Sequence, residues 1–275
     1  MYAGWALIPW FELPTVHIGP VTLQFFGLFA AAGVFLAVRL AARAAREQGL
    51  DPRVILDFSI WGVLSGVFFG HLVHLVAYHP EELADPKRVL QFWEGLSSFG
   101  GLLGGVLAAL VFFRARKVRL GDYGDALALG VAPGWAVARL GCFAVHDHPG
   151  VRTTFLGAVR FPDGTRHDLG LYDALVLLAI SGLLWVLRRR RLLEGRLLPA
   201  LALCYGASRL FLDTLRARDV PYPDARYLGL TPAQYGCALL VAWGAWRLSA
   251  GRPAHPQASQ PPGDPPGGPP AEVAP

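Results

Sequence analysis

The chain has 275 residues, 53% hydrophobic and 16% charged, with a net charge of +5 and a mean hydropathy of +0.39. Soluble domains carry nearer about 25% charged residues, so one soluble core cannot hide this much apolar surface, and a polytopic membrane protein is the expected class. The basic residues sit in short loops without an aromatic–basic patch, which leaves no footprint for nucleic acid.

The opening 19 residues lack the basic region of a cleavable signal, and Trp5, Trp10 and Phe11 suit an interfacial element. Seven apolar runs follow, at residues 20–42, 54–78, 98–114, 124–145, 169–187, 197–215 and 229–248, each near the length that crosses a bilayer. They predict an all-α fold of seven transmembrane helices. The second run carries His71 and His74, one helical turn apart. The third is rich in glycine (Gly100, Gly101, Gly104, Gly105), which permits close approach between helices. Adjacent glycines at a helix start also expose N–H groups suited to a phosphate or glycerol head group. Beyond residue 250 the chain is dominated by Pro and Gly, predicting a disordered tail over 250–275 behind a membrane domain over 1–249. Fifteen Lys and Arg residues fall in loops on one side of the runs and eight on the other, which puts the N-terminus outside and the C-terminus in the cytoplasm. The three cysteines, Cys142, Cys204 and Cys237, lie in apolar runs without paired spacing and predict buried thiols.

Two runs carry arginines at bilayer depth, where a charge costs roughly 3 kcal/mol on insertion scales. Arg139 lies in the fourth, which ends in His146-Asp147-His148-Pro149-Gly150. An arginine can grip a phosphate bidentately, and imidazoles titrating near neutrality can take a proton from a thiol or hydroxyl. The structural alternative pairs Arg139 with Asp125 across the bundle and leaves the histidines as decoration. The sixth run holds Arg209, Asp213 and Arg216 at i, i+4 and i+7, so they share one helix face, which should turn toward a polar cavity. A metal on His71, His74, His146 and His148 is the weaker reading, because no Cys or carboxylate stands at ligand spacing beside His71 and His74. No metal and no cofactor is expected.

These segments, in this order, resemble the phosphatidylglycerol–prolipoprotein diacylglyceryl transferase family over about residues 17–248. Ile18 to Leu28 resembles the opening of the family's first span, and Gly95 to Gly104 its Gly-Ser-Gly-Gly segment. Arg139-Leu140-Gly141-Cys142-Phe143 through Gly150 resembles the Gly-Arg-x-Gly-Asn-Phe signature. His167 with Leu171-Tyr172-Asp173 resembles a His-Pro-x-x-Leu-Tyr-Glu segment. Tyr205-Gly206, Arg209, Asp213 and Arg216 resemble a Tyr-Gly-x-x-Arg-Phe-x-x-Glu-x-x-Arg run, and Gly229 to Gln234 the start of the last span.

The resemblance implies transfer of the diacylglyceryl group of phosphatidylglycerol to the lipobox cysteine thiol of preprolipoproteins, in the bacterial inner membrane. Arg139 and Arg209 would hold the phosphate, oriented by Asp125 and Asp213. Gly100, Gly101, Gly141, Gly150 and Tyr205 would line the lipid site, and Arg216 would help at its outer rim. The chain departs from the family at Phe99 (His in the family), Phe26 (Tyr), Ala138 (Gly) and Cys142 (Asn). The expected compensation is that His146 or His148, with Asp147, supplies the base. The alternative is a non-catalytic lipid- or lipoprotein-binding paralogue.

Overall fold

A computed structural model describes residues 7–11, 13, 16–18, 21–23, 25–91, 95–221 and 223–250. Trp5 and the Pro/Gly tail lie outside the described residues. Two short strands, β2 (Val16–Ile18) and β3 (Val21–Leu23), form an antiparallel hairpin after β1 (Ile8–Pro9). The helices are α1 (Phe25–Glu47), α2 (Pro52–Val73), a short α3 (Pro86–Leu90), α4 (Ser98–Ala115), α5 (Leu120–Val145), α6 (Leu169–Arg189), α7 (Leu197–Leu212) and α8 (Pro232–Ser249).

Local chemistry starts these helices where the sequence changes character. Asp51, followed by Pro52, caps α2 by accepting from the Arg53 N–H. Ser97 caps α4 and Asp168 caps α6. Thr231 and Gln234 form a reciprocal capping box on α8. At its far end α2 loosens into a π-turn over His74–Tyr78.

Small residues decide which helices meet. A Cβ on Gly33 of α1 would stand 2.4 Å from the Gly134 carbonyl of α5, and one on Gly130 would stand 2.3 Å from that of Ala37. The α1–α5 seam therefore brings backbone against backbone. The α2–α4 seam is built the same way, since a Cβ on Gly100 would reach 2.3 Å from the Phe69 carbonyl. One apolar cluster joins α1, α2, α4 and α5 around Ile55, Phe113 and Tyr123, and a second joins α5, α6 and α7 around Leu177, Leu184 and Tyr205.

Among the described residues, five helical segments are long and apolar enough to cross a membrane: Phe25–Glu47, Pro52–Tyr78, Ser98–Ala115, Leu120–Val145 and Leu169–Arg189. Their outward faces carry Leu28, Phe35, Trp61, Phe68, Val111 and Trp185, all exposed, as lipid contact requires.

One feature amends the all-α expectation. Between α5 and α6 the chain forms β4 (Pro149–Arg152), β5 (Val159–Phe161) and β6 (Gly164–Asp168), which join β1 in a sheet of order β1-β5-β6-β4. The β5–β6 hairpin turns at Asp163-Gly164, with Gly164 at φ +133°, a turn chemistry visible in the sequence. Arg166, 1% exposed, anchors this sheet: it donates to Asp163, to Asp219 and to the Gly150 carbonyl. The bonded Arg166 guanidinium holds the Asp219 carboxyl down at about 2 and also lowers Asp163.

Candidate functional site

The buried charges gather at the end of the bundle that carries the sheet. Arg139, on the last turns of α5, is 2% exposed. Its Nε lies 3.2 Å from Asp173 Oδ2 on α6. Arg209 of α7 donates through NH1 to the same Asp173 oxygen and lies 3.0 Å through NH2 from Asp213 Oδ1. Asp213 Oδ2 in turn accepts from the Thr231 hydroxyl at 2.5 Å. An ion ladder, Arg139–Asp173–Arg209–Asp213–Thr231, thus runs across α5, α6, α7 and the start of α8. Both guanidiniums converge on one carboxylate, and the Tyr205 hydroxyl stands against Arg139.

Besides the Tyr205 hydroxyl, the terminal nitrogens of Arg139 make long contacts. NH2 reaches Ser98 Oγ at 3.3 Å, while NH1 reaches Cys142 Sγ at 3.6 Å and His148 Nε2 at 3.5 Å. A guanidinium prefers two carboxylate or phosphate oxygens at shorter range. This edge is therefore open to a better acceptor.

His148 bonds through Nδ1 to Asp147. Burial pushes its imidazole below the ordinary value. Burial works against the Asp147 charge, but His148 together with Arg139 and Arg216 outweighs it and the carboxyl sits low. Beyond Asp147 opens a pocket of about 200 Å³, lined by Pro149, Arg216, Val220, Pro221, Pro223 and Asp224. Gly150 pairs with Arg216 in an antiparallel bridge, and a Cβ on Gly150 would meet His167 at 2.7 Å, so only glycine fits between β6 and Arg216.

Several sequence expectations are corrected by these positions. Asp125 touches neither arginine. It lies about 21 Å along α5 from Arg139, given 14 intervening steps of about 1.5 Å, and accepts from the Gly195 and Leu197 N–H groups at 2.6 and 2.8 Å to cap α7. Its charge satisfies helix N–H groups that would otherwise be orphaned. Asp173 is the carboxylate between the arginines instead.

His146 does not face the site. It ends α5 in a left-handed turn (φ 49°), its Nδ1 lies 2.6 Å from Asp168, and Trp10, Phe11, Phe143 and Phe161 enclose its ring. Arg216 does not share the helix face of Arg209 and Asp213. A 3₁₀ turn over Asp213–Leu215 ends α7, and Arg216 leaves in an extended conformation to pair with Asp224. Gly100 and Gly101 pack on α2, and Gly141 on α1, where a Cβ would meet Phe29 at 2.7 Å. Helix contact by itself requires glycine at 100 and 141, while a Cβ at Gly101 would make only an ordinary contact, 3.6 Å from the Gly66 carbonyl.

The second-span histidines lie apart from this site: His71 meets the Val89 and Gly95 carbonyls, and His74 lies 3.6 Å from Glu82. Phe99 lies over α8, and a Cβ on Gly236 would stand 1.9 Å from its ring. Sequence reasoning placed Asp173 in a family-like segment but gave it no part in holding the arginines, although an acid inside an apolar run was a signal. Ser98 was given no role and carried no signal beyond its place at a helix start.

An apolar helical bundle holding two buried arginines on a shared carboxylate defines a multi-pass membrane protein. A profile of the prolipoprotein diacylglyceryl transferases matches residues 14–249, and the chain belongs to that family of membrane transferases. It is similar to the phosphatidylglycerol–prolipoprotein diacylglyceryl transferase of Mesorhizobium japonicum, at 31% identity over 89% of this chain and 93% of the relative. It is similar to that of a Nostoc species at 28% over 86% and 90%. The likeness to the Frankia casuarinae protein is 31% over 77% of this chain, which spans about half (55%) of that relative's length.

Proposed function

We propose that this chain transfers the diacylglyceryl group of phosphatidylglycerol to the lipobox cysteine of preprolipoprotein signal peptides. The observation that carries this reading is the outer edge of Arg139, buried beside Arg209, where Ser98, Cys142 and His148 are met only at 3.3–3.6 Å. A lipid phosphate meeting that edge gains charge-assisted hydrogen bonds that Ser98, Cys142 and His148 do not supply. The family membership supplies the reaction class.

In this reading Arg139 takes two phosphate oxygens, and Arg209, held by Asp213 and Thr231, supplies the second positive charge through the Asp173 bridge. Both stabilise the charge that grows on phosphate as glycerol phosphate departs. Tyr205 fixes the Arg139 head. The acceptor thiol must lose its proton to become the nucleophile, and His148, held by Asp147, is the side chain that activates it. Arg216 lines the outward pocket through which the polar product leaves. The chain crosses the bacterial inner membrane seven times as one unit over residues 1–249, with α7 and α8 as the last two crossings. The loop charges favour an external N-terminus and a cytoplasmic C-terminus.

The test is mass spectrometry of a lipobox peptide incubated with purified full-length protein and phosphatidylglycerol. A diacylglyceryl adduct on the cysteine, absent with Arg139→Ala, is expected. A peptide that stays unmodified while the protein still binds the lipid would replace this reading with the non-catalytic one.

A further inference from the structure

The end of the bundle opposite Arg139 carries a second concentration of charge. Residues 188–196, between α6 and α7, hold five arginines and one acid. They stay in one tight turn. The Leu192 N–H meets the Leu187 carbonyl at 2.8 Å and the Arg196 N–H meets the Leu193 carbonyl at 2.8 Å, with Arg191 (φ 53°) and Leu193 (φ 56°) left-handed. The end of α8 joins this turn, because Arg196 NH1 donates to the Leu248 carbonyl at 3.2 Å. Arg247, one residue earlier, therefore stands on the same rim. We propose that this rim binds the head group of an acidic phospholipid from the leaflet at that end, a lipid separate from the donor that meets Arg139.

Three observations support the site. Cations elsewhere at this end are matched by acids: Arg43 lies 2.8 Å from Glu47, and Arg116 pairs with Asp57. Asp125, the carboxylate buried beside the turn, already accepts from the Gly195 and Leu197 N–H groups. Five arginines against one acid leave the turn strongly positive, so a head group with a net negative charge is favoured over one whose phosphate is offset by its own cation.

The second observation is the pairing of arginine with indole. The Arg189 Cζ lies 4.2 Å from the centre of the Trp185 ring, and the Arg247 Cζ lies 5.8 Å from that of Trp246. Stacking uses the flat face of a guanidinium and leaves its in-plane N–H donors to phosphate oxygens. Both indoles are exposed, as suits the boundary between bilayer and water.

The third is what lies beneath the rim. Leu178 and Leu183 of α6 and Leu239 and Trp243 of α8 are exposed, and α7, 16 residues long, packs on both helices. Apolar faces below a cationic rim match the acyl chains and phosphate of one phospholipid. A nucleic acid or an acidic protein would answer the charge and leave those faces uncovered. The site does not depend on the transferase reading.

The test uses full-length protein in phosphatidylcholine vesicles doped with phosphatidic acid that carries a photoreactive group near its head, followed by mass spectrometry of the labelled peptides. Label is expected on residues 183–191 and 243–249, displaced by unlabelled phosphatidic acid and not by added phosphatidylcholine. Arg189→Gln with Arg190→Gln and Arg191→Gln should lower that label at least about 10-fold. Arg43→Gln with Arg116→Gln, which removes paired cations at the same end, should change it by less than about 2-fold. Size-exclusion profiles that match wild type establish that both variants fold. In wild type, raising salt to about 1 M, where screening acts within about 3 Å, should lower label from the phosphatidic acid probe and leave that from a phosphatidylcholine probe unchanged. Equal labelling of the rim by the acidic and neutral probes overturns the site. So does label unchanged in the triple variant, or an equal loss in the two variants, which would be attraction to any positive surface.

Discussion

His146 and His148 are two residues apart and differ in nearly everything else. Both are imidazoles bonded to a carboxylate, the buried His146 to Asp168 and the half-buried His148 to Asp147. His146 points back into an aromatic box and ties the end of α5 to the cap of α6. His148 points across the turn at Arg139. The left-handed residue between α5 and β4 sends the two rings to opposite sides of the chain. An imidazole beside an acid is therefore not enough to mark a chemical group: its second nitrogen must face the reacting centre.

The largest effect expected from this contrast is on turnover. His148→Ala should lower kcat for peptide modification by at least about 100-fold, the lower range for loss of a positioned proton-handling group, with phosphatidylglycerol binding retained. A variant with near wild-type kcat breaks the assignment. His146→Ala should act on stability instead. Removing the ring leaves Asp168 Oδ2 without its buried partner while Oδ1 keeps the Leu171 N–H, at about 1–3 kcal/mol, so the thermal midpoint should fall while kcat per folded molecule changes only a few-fold. The reverse split, with stability kept and turnover lost, would exchange the two roles.

A comparable effect follows from Phe99 and Gly236. Gly236→Ala places a methyl 1.9 Å from the Phe99 ring, and overpacking of this kind costs about 1–3 kcal/mol. Combining it with Phe99→Ser should return most of that loss in a thermal melt. Additive losses in the double variant would show that the two residues do not share one space.

The smallest effect is at the sheet anchor. Asp219 has a folded value of about 2, below its ordinary value, because of Arg166. Its contribution is present above the ordinary carboxylate range and is lost as pH falls toward 2. Asp219→Asn should therefore lower the neutral plateau slightly and flatten the acid limb, so that the two stability curves converge as pH falls toward 2. An unchanged acid limb would contradict the anchor.

Much of the bundle was legible because apolar runs and caps are local signals. The run over 98–114 corresponds to Ser98–Ala115, and that over 169–187 to Leu169–Arg189. The two arginines were legible because a charge in an apolar run is rare. What could not be read was partnership. Asp125 and Asp173 are both acids inside apolar runs, and only the relation of the helices decides that Asp173 meets both guanidiniums while Asp125 caps α7 at the other end. Helical spacing also misplaced Arg216, because a 3₁₀ turn ends α7 after Leu212. The Asp163-Gly164 turn was readable but was submerged by the helical pattern on either side.

The claim beneath all of this is that the open edge of Arg139 receives a lipid phosphate. The most direct measurement is phosphatidylglycerol binding to the detergent-solubilised full-length protein, with a lipid of neutral head group as reference, in wild type and Arg139→Ala. Charge-assisted hydrogen bonds contribute about 1.5–3 kcal/mol, so the preference for phosphatidylglycerol should fall at least about 10-fold in the variant. An unchanged preference in a correctly folded Arg139→Ala protein would contradict the account.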